Sequence, residues 1–468
     1  MKLGSVCLRP SSMTITSVPL ILGLFLIIGC GGNGSSVSSN PTQAGTTNVQ
    51  INMGDAPADW IVAFTMNMSS VALTNSNGTS VNVASGAMQM EMRHLMGTMQ
   101  PLSMANVPLG TYSMANISIS SANVTYVDSV TRQPVQKTMP GMTKTVNFNP
   151  PVTVGSTPMV MNFDLDLARS ISTDSTGNMT FTPVFNMTTG LPGGGLGPQY
   201  GGMDHIIGSV SGVSGSSFII SMMPGLASFT VMTNSSTQFE HMTGMGSVSA
   251  GMMVDLDANM QADGSLMATR IDSVLSGMSG GMMAEGLMNS MTGNPPTQLS
   301  IIADNGAGSS MMGSYLGATL LVNVAASTSY RFDASGVDLK NLPFIPTFNS
   351  STMTKGQRID PGSSGGMMSG MMGGPTMNAS ELTLEQQGLS GTVASYASGS
   401  PASFILNLPA DSAFTSITGS GMITVFQQPD TQLRGMTSVA NGASVQVRGL
   451  LFFNAGTYKM VATRIISY

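Results

Sequence analysis

Methionine is the residue type in this chain whose possible chemistry stands out, because it occurs 44 times among 468 residues. Thioether sulfur is a soft ligand that prefers Cu(I) or Ag(I) to harder ions. Two segments repeat methionine at Met-x-Met and Met-x-x-Met spacings, and we interpret both as loops outside any core pattern. The sequence thus predicts Cu(I) or Ag(I) binding by the side chains of Met88, Met90, Met92, His94, Met96 and Met99, and by those of Met367, Met368, Met371 and Met372.

The methionine excess also fits two origins that involve no metal. Met66, Met68, Met159 and Met161 fall at alternate positions of apparent strands, where Met is a flexible core replacement for Leu or Val. Metal capture does not account for these residues, whereas compositional drift towards Met accounts for them together with the loop methionines. Exposed Met is also oxidised reversibly to the sulfoxide, so the loops could instead consume oxidants.

Other reactive groups are scarce. Both cysteines, Cys7 and Cys30, lie near the amino terminus, so we expect no thiol chemistry in the body of the protein. The histidines His94, His205 and His241 do not form a His-Glu-x-x-His zinc motif, and no phosphate-binding loop or serine nucleophile elbow occurs. We therefore expect no enzyme. Charged residues make up only 8% and the net charge is -6, which argues against nucleic-acid binding.

Four acidic residues are candidates for a Ca²⁺ or glycosidase site: Asp55, Asp59, Asp164 and Asp166. Hard cations require six to eight oxygen ligands, and glycosidase chemistry requires two carboxyl groups that face each other across a cleft. The pattern shows neither arrangement. We expect these side chains to lie on a solvated strand face or to cap turns.

The amino terminus has the layout of an export signal. Lys2 and Arg9 precede an apolar run over residues 18–28, which is short for a membrane span. The run ends in Ile27-Ile28-Gly29-Cys30, which resembles the lipobox of bacterial lipoproteins. The resemblance implies removal of residues 1–29 and lipid attachment to Cys30. Acyl chains would anchor the protein to a membrane, and Gly31 after the cysteine favours the outer over the inner membrane by the same analogy.

Residues 30–47 are rich in Gly, Ser, Asn and Thr and predict a flexible tether, and residues 48–190 follow with a period of two. Many short alternating strands predict a β-sandwich. Ile51-Asn52-Met53-Gly54-Asp55-Ala56-Pro57, the strand from Val62 and the turn Val107-Pro108-Leu109-Gly110-Thr111-Tyr112 resemble the family known as domain of unknown function 4382. That resemblance implies an envelope β-sandwich and supplies no activity.

A β unit then recurs three times, over residues 203–275, 295–387 and 388–468, with the middle copy degenerate and interrupted by a Gly/Met tract. The turn Ala262-Asp263-Gly264-Ser265-Leu266 and the strands Ala268-Thr269-Arg270-Ile271 and Ala462-Thr463-Arg464-Ile465 resemble the family known as domain of unknown function 5666. The resemblance implies small OB-like barrels, often found in tandem.

The predicted protein is therefore all-β: a sandwich followed by three OB-like barrels, joined by flexible Gly/Met-rich linkers. We expect a lipid-anchored, non-catalytic binding or scaffolding module of the cell envelope, whose alternative role is Cu(I) or Ag(I) binding. Its partners would be the membrane, through Cys30, and an envelope protein or glycan that the sequence leaves open.

Overall fold

Strands dominate the fold because apolar and polar residues alternate along most of the chain. The computed structural model describes residues 45–467 except residues 57, 97–98, 129, 176, 193–201, 223–227, 264, 274–282, 308–314, 335, 364–367 and 371–373. Strand makes up 68% of the structure and helix 5%, which confirms the predicted all-β class. Over these residues, neither short helix has the length or apolar character needed to cross a membrane. Cys30 and the predicted tether up to residue 44 lie outside the described residues.

The first ten strands form the predicted sandwich. They are β1 (Thr46–Ala56), β2 (Ile61–Asn75), β3 (Ser80–Glu91), β4 (Met99–Pro108), β5 (Gly110–Val127), β6 (Pro134–Val154), β7 (Met159–Asp166), β8 (Ile171–Thr173), β9 (Met179–Phe181) and β10 (Phe185–Gly190). A 3-10 turn, Arg93–Leu95, joins β3 to β4, and the helix α1 (Leu167–Ser170) follows β7. One sheet has the strand order β10-β7-β1-β4 and the facing sheet has the order β3-β2-β5-β6, while β8 and β9 pair with each other as a separate two-stranded sheet.

Three groups of strands follow the sandwich. The first barrel contains β11 (Gly202–Ser214), β12 (Ser217–Met222), β13 (Ser228–Met232), β14 (Gln238–Glu240), β15 (Met253–Met260) and β16 (Leu266–Ser273). The second contains β17 (Met283–Gly293), β18 (Pro296–Ala307), β19 (Thr319–Phe332), β20 (Arg358–Ser363), β21 (Met368–Gly370) and β22 (Gly374–Leu384). The third contains β23 (Gln386–Ala397), β24 (Ala402–Asn407), the helix α2 (Ala413–Thr418), β25 (Met422–Arg434), β26 (Ser444–Asn454) and β27 (Thr457–Ser467).

All three groups contain the same ring of five strands, which leaves out the short strands β14 and β21, so that the fourth strand of each ring is β15, β20 or β26. The first strand pairs with the second and the fourth, the second with the third, and the fourth with the last, all antiparallel. A parallel pairing of the third strand with the last closes each ring: β13 with β16, β19 with β22, and β25 with β27. Five strands closed in this way make the small OB-like unit that the sequence predicted.

One threonine occupies the same place in each ring. Its hydroxyl accepts from a backbone N–H three residues earlier and donates to a carbonyl of the closing strand, so it fastens the third strand where that strand bulges or breaks. The donor–acceptor pairs are Thr237 to Ala268 at 2.9 Å, Thr328 to Ala379 at 2.9 Å and Thr431 to Ala462 at 2.8 Å. Because these hydrogen bonds are buried, loss of one would leave a carbonyl unsatisfied.

A glycine in the first strand of each ring permits a close approach to the second strand. A Cβ atom on Gly208, Gly286 or Gly391 would lie 2.7, 2.4 or 2.2 Å from a backbone oxygen of the neighbouring strand. Real side chains do not tolerate such distances, so the tight curvature of these barrels requires glycine at this position.

The predicted boundary of the second barrel was wrong. Its first strand, β17, begins at Met283, before the predicted start at residue 295, and the apolar run Leu299–Ile302 belongs to the second strand, β18. Part of the supposed Met-rich linker is therefore a strand. Its sequence, MAEGLMNSMTG, hides the alternation because glycine, serine and methionine replace the branched residues that mark a strand.

Apolar clusters extend across the domain boundaries. The core of the sandwich, with Phe64 and Phe163, is continuous with that of the first barrel, with Phe218 and Leu256. The core of the second barrel includes Phe452 of the third. A smaller cluster joins the sandwich to the second and third barrels through Val62, Val127, Ile302, Ala413 and Ile417. Each large apolar side chain that is fully buried contributes about 1.5–3 kcal/mol, so these shared cores join the units firmly.

Candidate binding cleft and buried ion pairs

Charged side chains converge where the first barrel meets the second. Arg270 lies on β16, the closing strand of the first barrel, and is almost fully buried. Its guanidinium lies 3.0 Å from Asp255 and 3.6 Å from Asp272, both in the same barrel, and 3.9 Å from Asp333, which follows β19 in the second. Burial opposes the charge of Arg270, but the carboxylates, Asp255 first, outweigh it and raise its pKa. Arg270 therefore stays positively charged and is surrounded by carboxylates.

A second arginine, from the other side, completes the connection. Arg331 lies on β19, and its guanidinium is 2.7 Å from Glu381 within the second barrel and 3.4 Å from Asp272 of the first. His241 reaches the same group, because its Nδ1 lies 2.7 Å from Asp272. Removing one partner of such a buried group leaves an uncompensated charge, so the ion pairs fix the two barrels relative to each other.

A wide cleft opens above these ion pairs. Its volume is about 1000 Å³, and all three barrels contribute to its lining. The charged lining residues are Glu240, Arg331, Asp333, Asp338, Lys340 and Asp430, together with His241. Carboxylates therefore outnumber arginine and lysine in the cleft, and Asp255, Asp257, Asp272 and Glu381 lie behind it with Arg270. We call this feature the acidic cleft.

A separate ion triad lies between the second and third barrels. Arg358 on β20 donates through Nε to Asp304 at 3.2 Å and through Nη2 to Glu285. Its backbone N–H donates to the side chain of Gln387 at 2.7 Å, and its Nη1 donates to the carbonyl of Gln386 at 3.3 Å. Burial works against the charge, yet Asp304 and then Glu285 raise the pKa of Arg358. The guanidinium is thus fully engaged, which suits a structural role.

The triad borders a partly open cavity of about 40 Å³ at the contact with the sandwich. Arg93, His94 and Asp59 of the sandwich and Arg358, Ser390 and Arg448 of the barrels line it. This space fits water molecules, which polar walls of this kind usually hold. It is too small for an organic substrate.

The structure corrects the expectation that the Met88-to-Met99 segment is a loop. Met88 and Met90 lie on strand β3, and Met92 and Met96 flank the 3-10 turn that follows it. All four are buried, with 3%, 2%, 0% and 0% of their surface exposed, and Met99 at the start of β4 is half-buried. Methionine fills the sandwich core here because a flexible thioether chain adapts to gaps between two sheets.

The remaining residues of the two predicted metal sites have other partners or lie outside the description. The imidazole Nδ1 of His94 is 2.9 Å from Glu91, and the sulfur of Met96 accepts a hydrogen bond from Arg93 at 3.2 Å. Met367, Met371 and Met372 lie outside the described residues, and of Met368 only its place on β21 is described. Within the described part of the chain, no three His, Cys, Asp or Glu side chains are arranged to hold a metal ion. Thioether ligation is not addressed by that finding, so Cu(I) or Ag(I) binding stays a prediction.

The four candidate carboxylates are less solvated than expected. Asp55 is buried, and neither carboxylate oxygen has a hydrogen-bond partner among the described residues. Burial, and then Asp164, raises the pKa of Asp55 well above its ordinary value. Burial raises the pKa of Asp59 as well, and burial with Asp166 raises that of Asp164 to about 6. Asp166 caps a helix as predicted, accepting from the N–H of Arg169.

The outer face of the first sheet is covered in the same region. Asn162, two residues before Asp164 on the same strand, is fully buried and its amide oxygen accepts from Asn52 at 2.9 Å. Asn52 in turn accepts from Gln50 at 2.7 Å. Strand β4 of this sheet contacts β11, so the first barrel packs next to it. The alternation of apolar and polar residues along β7 correctly separates the two faces of this sheet, but both faces are buried in this region.

Sequence reasoning missed the arginines and aspartates of the acidic cleft. A signal was present, since the few charged residues recur two apart on or beside strands: Asp255 and Asp257, Arg270 and Asp272, Arg331 and Asp333, Arg358 and Asp360. Such spacing places both members of a pair on the same strand face. The usual interpretation of that face is solvent, and only the packing of one barrel on the next shows that it is buried.

These observations define a β-protein in which a sandwich and three small barrels pack side by side around buried ion pairs. Residues 46–183 match the family model described as Domain of unknown function (DUF4382), and residues 207–272 match the one described as Domain of unknown function (DUF5666). Both predicted resemblances are confirmed over these segments and in this order. No curated protein matches the chain.

Proposed function

We propose that the protein is a non-catalytic, lipid-anchored binding module of the bacterial cell envelope, and that its acidic cleft binds a positively charged segment of another envelope protein. The single observation that carries the binding role is this cleft of about 1000 Å³ at the junction of three barrels. A cleft lined by one sign of charge concentrates ligands of the opposite sign. The anchor is supported by the resemblance of Ile27-Ile28-Gly29-Cys30 to a lipobox.

The distribution of charge supports a cationic ligand. The cleft and the layer behind it contain eight carboxylates, Glu240, Asp255, Asp257, Asp272, Asp333, Asp338, Glu381 and Asp430, against the cations Arg270, Arg331 and Lys340. Eight carboxylates against three cations leave a local charge of -5, which is nearly the whole net charge of -6 that the chain carries. Asp338 and Asp430 form no salt bridge among the described residues, so their charge is available to a ligand.

We also infer that the second and third barrels are further copies of the unit that matches in the first. The shared threonine hydrogen bond supports this inference most, because ring closure does not by itself require a threonine at that position, and the shared glycine of the first strand agrees with it. The copies would have given rise to the cleft by packing side by side.

Binding is tested by fluorescence anisotropy with a labelled oligolysine peptide and the acylated protein in non-ionic detergent. We expect saturable binding that weakens with added salt, and none of a matched oligoglutamate. The double variant Asp338→Asn, Asp430→Asn should bind about two- to thirtyfold more weakly, since each exposed pair contributes about 0.2–1 kcal/mol. The control Asp263→Asn, Asp411→Asn changes net charge equally but lies outside the cleft. Equal loss in both double variants would refute binding in the cleft.

The anchor is tested separately. Cells that produce the chain are labelled with radioactive palmitate, and we expect label on the wild-type protein that sediments with outer membranes. The variant Cys30→Ser should carry no label and should leave the membrane fraction in part. Label on the Cys30→Ser variant would contradict lipid attachment at this residue.

A further inference from the structure

Asp360 occupies an unusual place in the ion network between the first two barrels. It lies on β20 beside Ile359, whose side chain points into the second barrel, so the Asp360 side chain points outward. That outer face is covered, and Asp360 is only 8% exposed. Its Oδ1 atom is buried and has no hydrogen-bond partner among the described residues.

Strand register places Asp360 in a row of charged side chains that crosses the second barrel. Gly286 pairs with Ile359 in the antiparallel β17–β20 ladder, so Glu285 lies beside Asp360. On the other side Asp360 pairs with Thr383, and Thr383 pairs with Arg331. The row therefore reads Glu285, Asp360, Thr383, Arg331, with two carboxyl groups side by side.

Both cations near this row are already engaged by carboxylates. Arg331 is engaged by Glu381 at 2.7 Å and by Asp272 at 3.4 Å. Arg358, the next candidate, is engaged by Glu285 and by Asp304. Two carboxylates of the first barrel, Asp255 on β15 and Asp272 on β16, also act on the charge of Asp360, and Arg270 engages both of them. Two neighbouring carboxylates in a buried site cannot both be charged at acceptable cost.

We propose that a proton on Asp360 holds the first and second barrels together, and that loss of this proton loosens their contact as the pH rises above neutral. The contact is thus a pH-sensitive joint built into the fold. With the proton in place, the row carries one carboxylate beside one acid. Without it, Asp360 adds a further negative charge to a network whose arginines Arg270, Arg331 and Arg358 are already engaged, and this charge is repelled by Glu285, Asp255 and Asp272.

The pKa of Asp360 differs between the folded and the unfolded protein, and this difference determines how stability changes with pH. Burial, and then Glu285, raises the pKa of Asp360 from 3.8 to about 8. The folded protein therefore keeps a proton that the unfolded chain releases at lower pH, so this residue's contribution to stability decreases as the pH rises from 3.8 to about 8. Above that range Asp360 is charged in both states and the contribution is constant.

The test compares wild type with Asp360→Asn, an isosteric substitution that keeps the uncharged form at every pH. Melting temperatures of the full acylated protein in detergent are measured between about pH 5 and about pH 9. We expect the variant to melt at a higher temperature than wild type, by a difference that is small at the acidic end and increases until about pH 8. Asp411→Asn, at an exposed turn, is the matched control and should follow the wild type throughout.

A second measurement locates the effect. In hydrogen exchange read by mass spectrometry, peptides from β15, β16 and β20 should lose protection in wild type at alkaline pH, while peptides from β5 of the sandwich should not. Loss of protection spread evenly over β5 and the barrels would overturn the proposal, because the proton would then act on the whole fold and not on the joint.

A second variant tests the neighbour that makes the proton necessary. Glu285→Gln removes the adjacent carboxylate, so the pKa of Asp360 in the folded protein should decrease and the loss of protection in β20 should level off at lower pH than in wild type. An unchanged or higher end point would overturn the proposal, because Glu285 would then exert no repulsion on Asp360. The end point is read as a pH, so a general loss of stability in this variant does not imitate the expected shift.

Two further outcomes would overturn the proposal. Asp360→Asn and wild type could melt at the same temperature across the whole pH range, which would show that the proton has no effect on the joint. Alternatively, millimolar CaCl₂ could stabilise wild type but not Asp360→Asn at alkaline pH with tight saturation, which would assign the site to a metal ion. The peptide-binding assay of the acidic cleft is independent of both, so failure of the cleft and failure of the joint are distinguishable.

Discussion

Replacement of Arg358 by Met is the most demanding test of the buried ion network. Arg358 is 4% exposed, and its partners Glu285 and Asp304 are 1% and 5% exposed. Methionine keeps most of the apolar stem but removes the guanidinium, which leaves two carboxylates buried without a cation. Loss of one partner from a buried ionic group costs about 3–5 kcal/mol. The expected decrease in the free energy of unfolding therefore lies in that range.

The matched control is Arg169→Met. Arg169 lies 3.7 Å from Asp166, but its side chain is 69% exposed. Exposed pairs contribute about 0–1 kcal/mol, so this variant should lose little. A third protein carries Arg358→Met with Glu285→Leu and Asp304→Leu, and we expect it to regain stability, because an apolar replacement of a whole buried ionic group is often neutral or better.

Stability is measured by urea unfolding followed by circular dichroism, with hydrogen exchange of β17, β18 and β20 to locate the weakened region. A loss in Arg358→Met no greater than that in Arg169→Met would refute a stabilising role of this arginine. A triple variant less stable than the single one would refute it too, because the carboxylates would then stabilise the barrels without their arginine.

Three smaller predictions concern side chains inside the cores, all measured as changes in the free energy of unfolding. Thr431→Val removes two hydrogen bonds of 2.8 Å and should cost about 1–3 kcal/mol, because the Ala462 carbonyl stays buried. Gly391→Ala should cost about 1–3 kcal/mol or more, since its Cβ would lie 2.2 Å from the Asn407 oxygen. Met90→Ala should cost about 2–5 kcal/mol but Met90→Leu less than about 1.5 kcal/mol, as expected of a core residue.

Controls for these predictions lie in the same protein. Gly421→Ala should be nearly neutral, because nothing lies within 4 Å of the added carbon. Met422→Ala should also have little effect, since Met422 is 59% exposed. Equal losses in Met90→Ala and Met422→Ala would contradict the core assignment.

For Cu(I), an anaerobic titration against a competing chelator should give the same uptake in wild type and in the variant with Met88, Met90 and Met92 changed to Leu, because these sulfurs are buried.

Much of the fold was predictable because its signals are local. Strict alternation in Ile61–Asn75 and Met159–Asp166 identifies strands, and the recurrence of Ala-Thr-Arg-Ile identifies the closing strand of two barrels. Prediction failed where the residue types of a segment do not match the environment that the segment occupies in the fold. Strand Met283–Gly293 has the composition of a linker, and the Met88-to-Met92 segment has that of a metal loop.

The acidic cleft was not predictable for a different reason. Arg270 and Asp333 are far apart in the chain, and each taken alone is an ordinary polar residue, the first on a strand and the second just after one. Their meeting depends on how one barrel packs on another, which no local pattern encodes. Asp360 is the extreme example, since its strand alternates correctly while its environment comes from several other strands.

Because a parallel pairing closes each barrel, the order in which its strands become available determines when the barrel can form. A ribosome delivers the first three strands of a barrel before the fourth and fifth, yet the first strand needs the fourth and the third needs the fifth. Until the last strand arrives, each nascent barrel presents two open strand edges, which invite pairing with other chains. In the second barrel the wait is long, because residues 333–357 separate β19 from β20. A chain that emerges amino terminus first, from a ribosome or from an export channel, therefore has three intervals in which such strand edges are open.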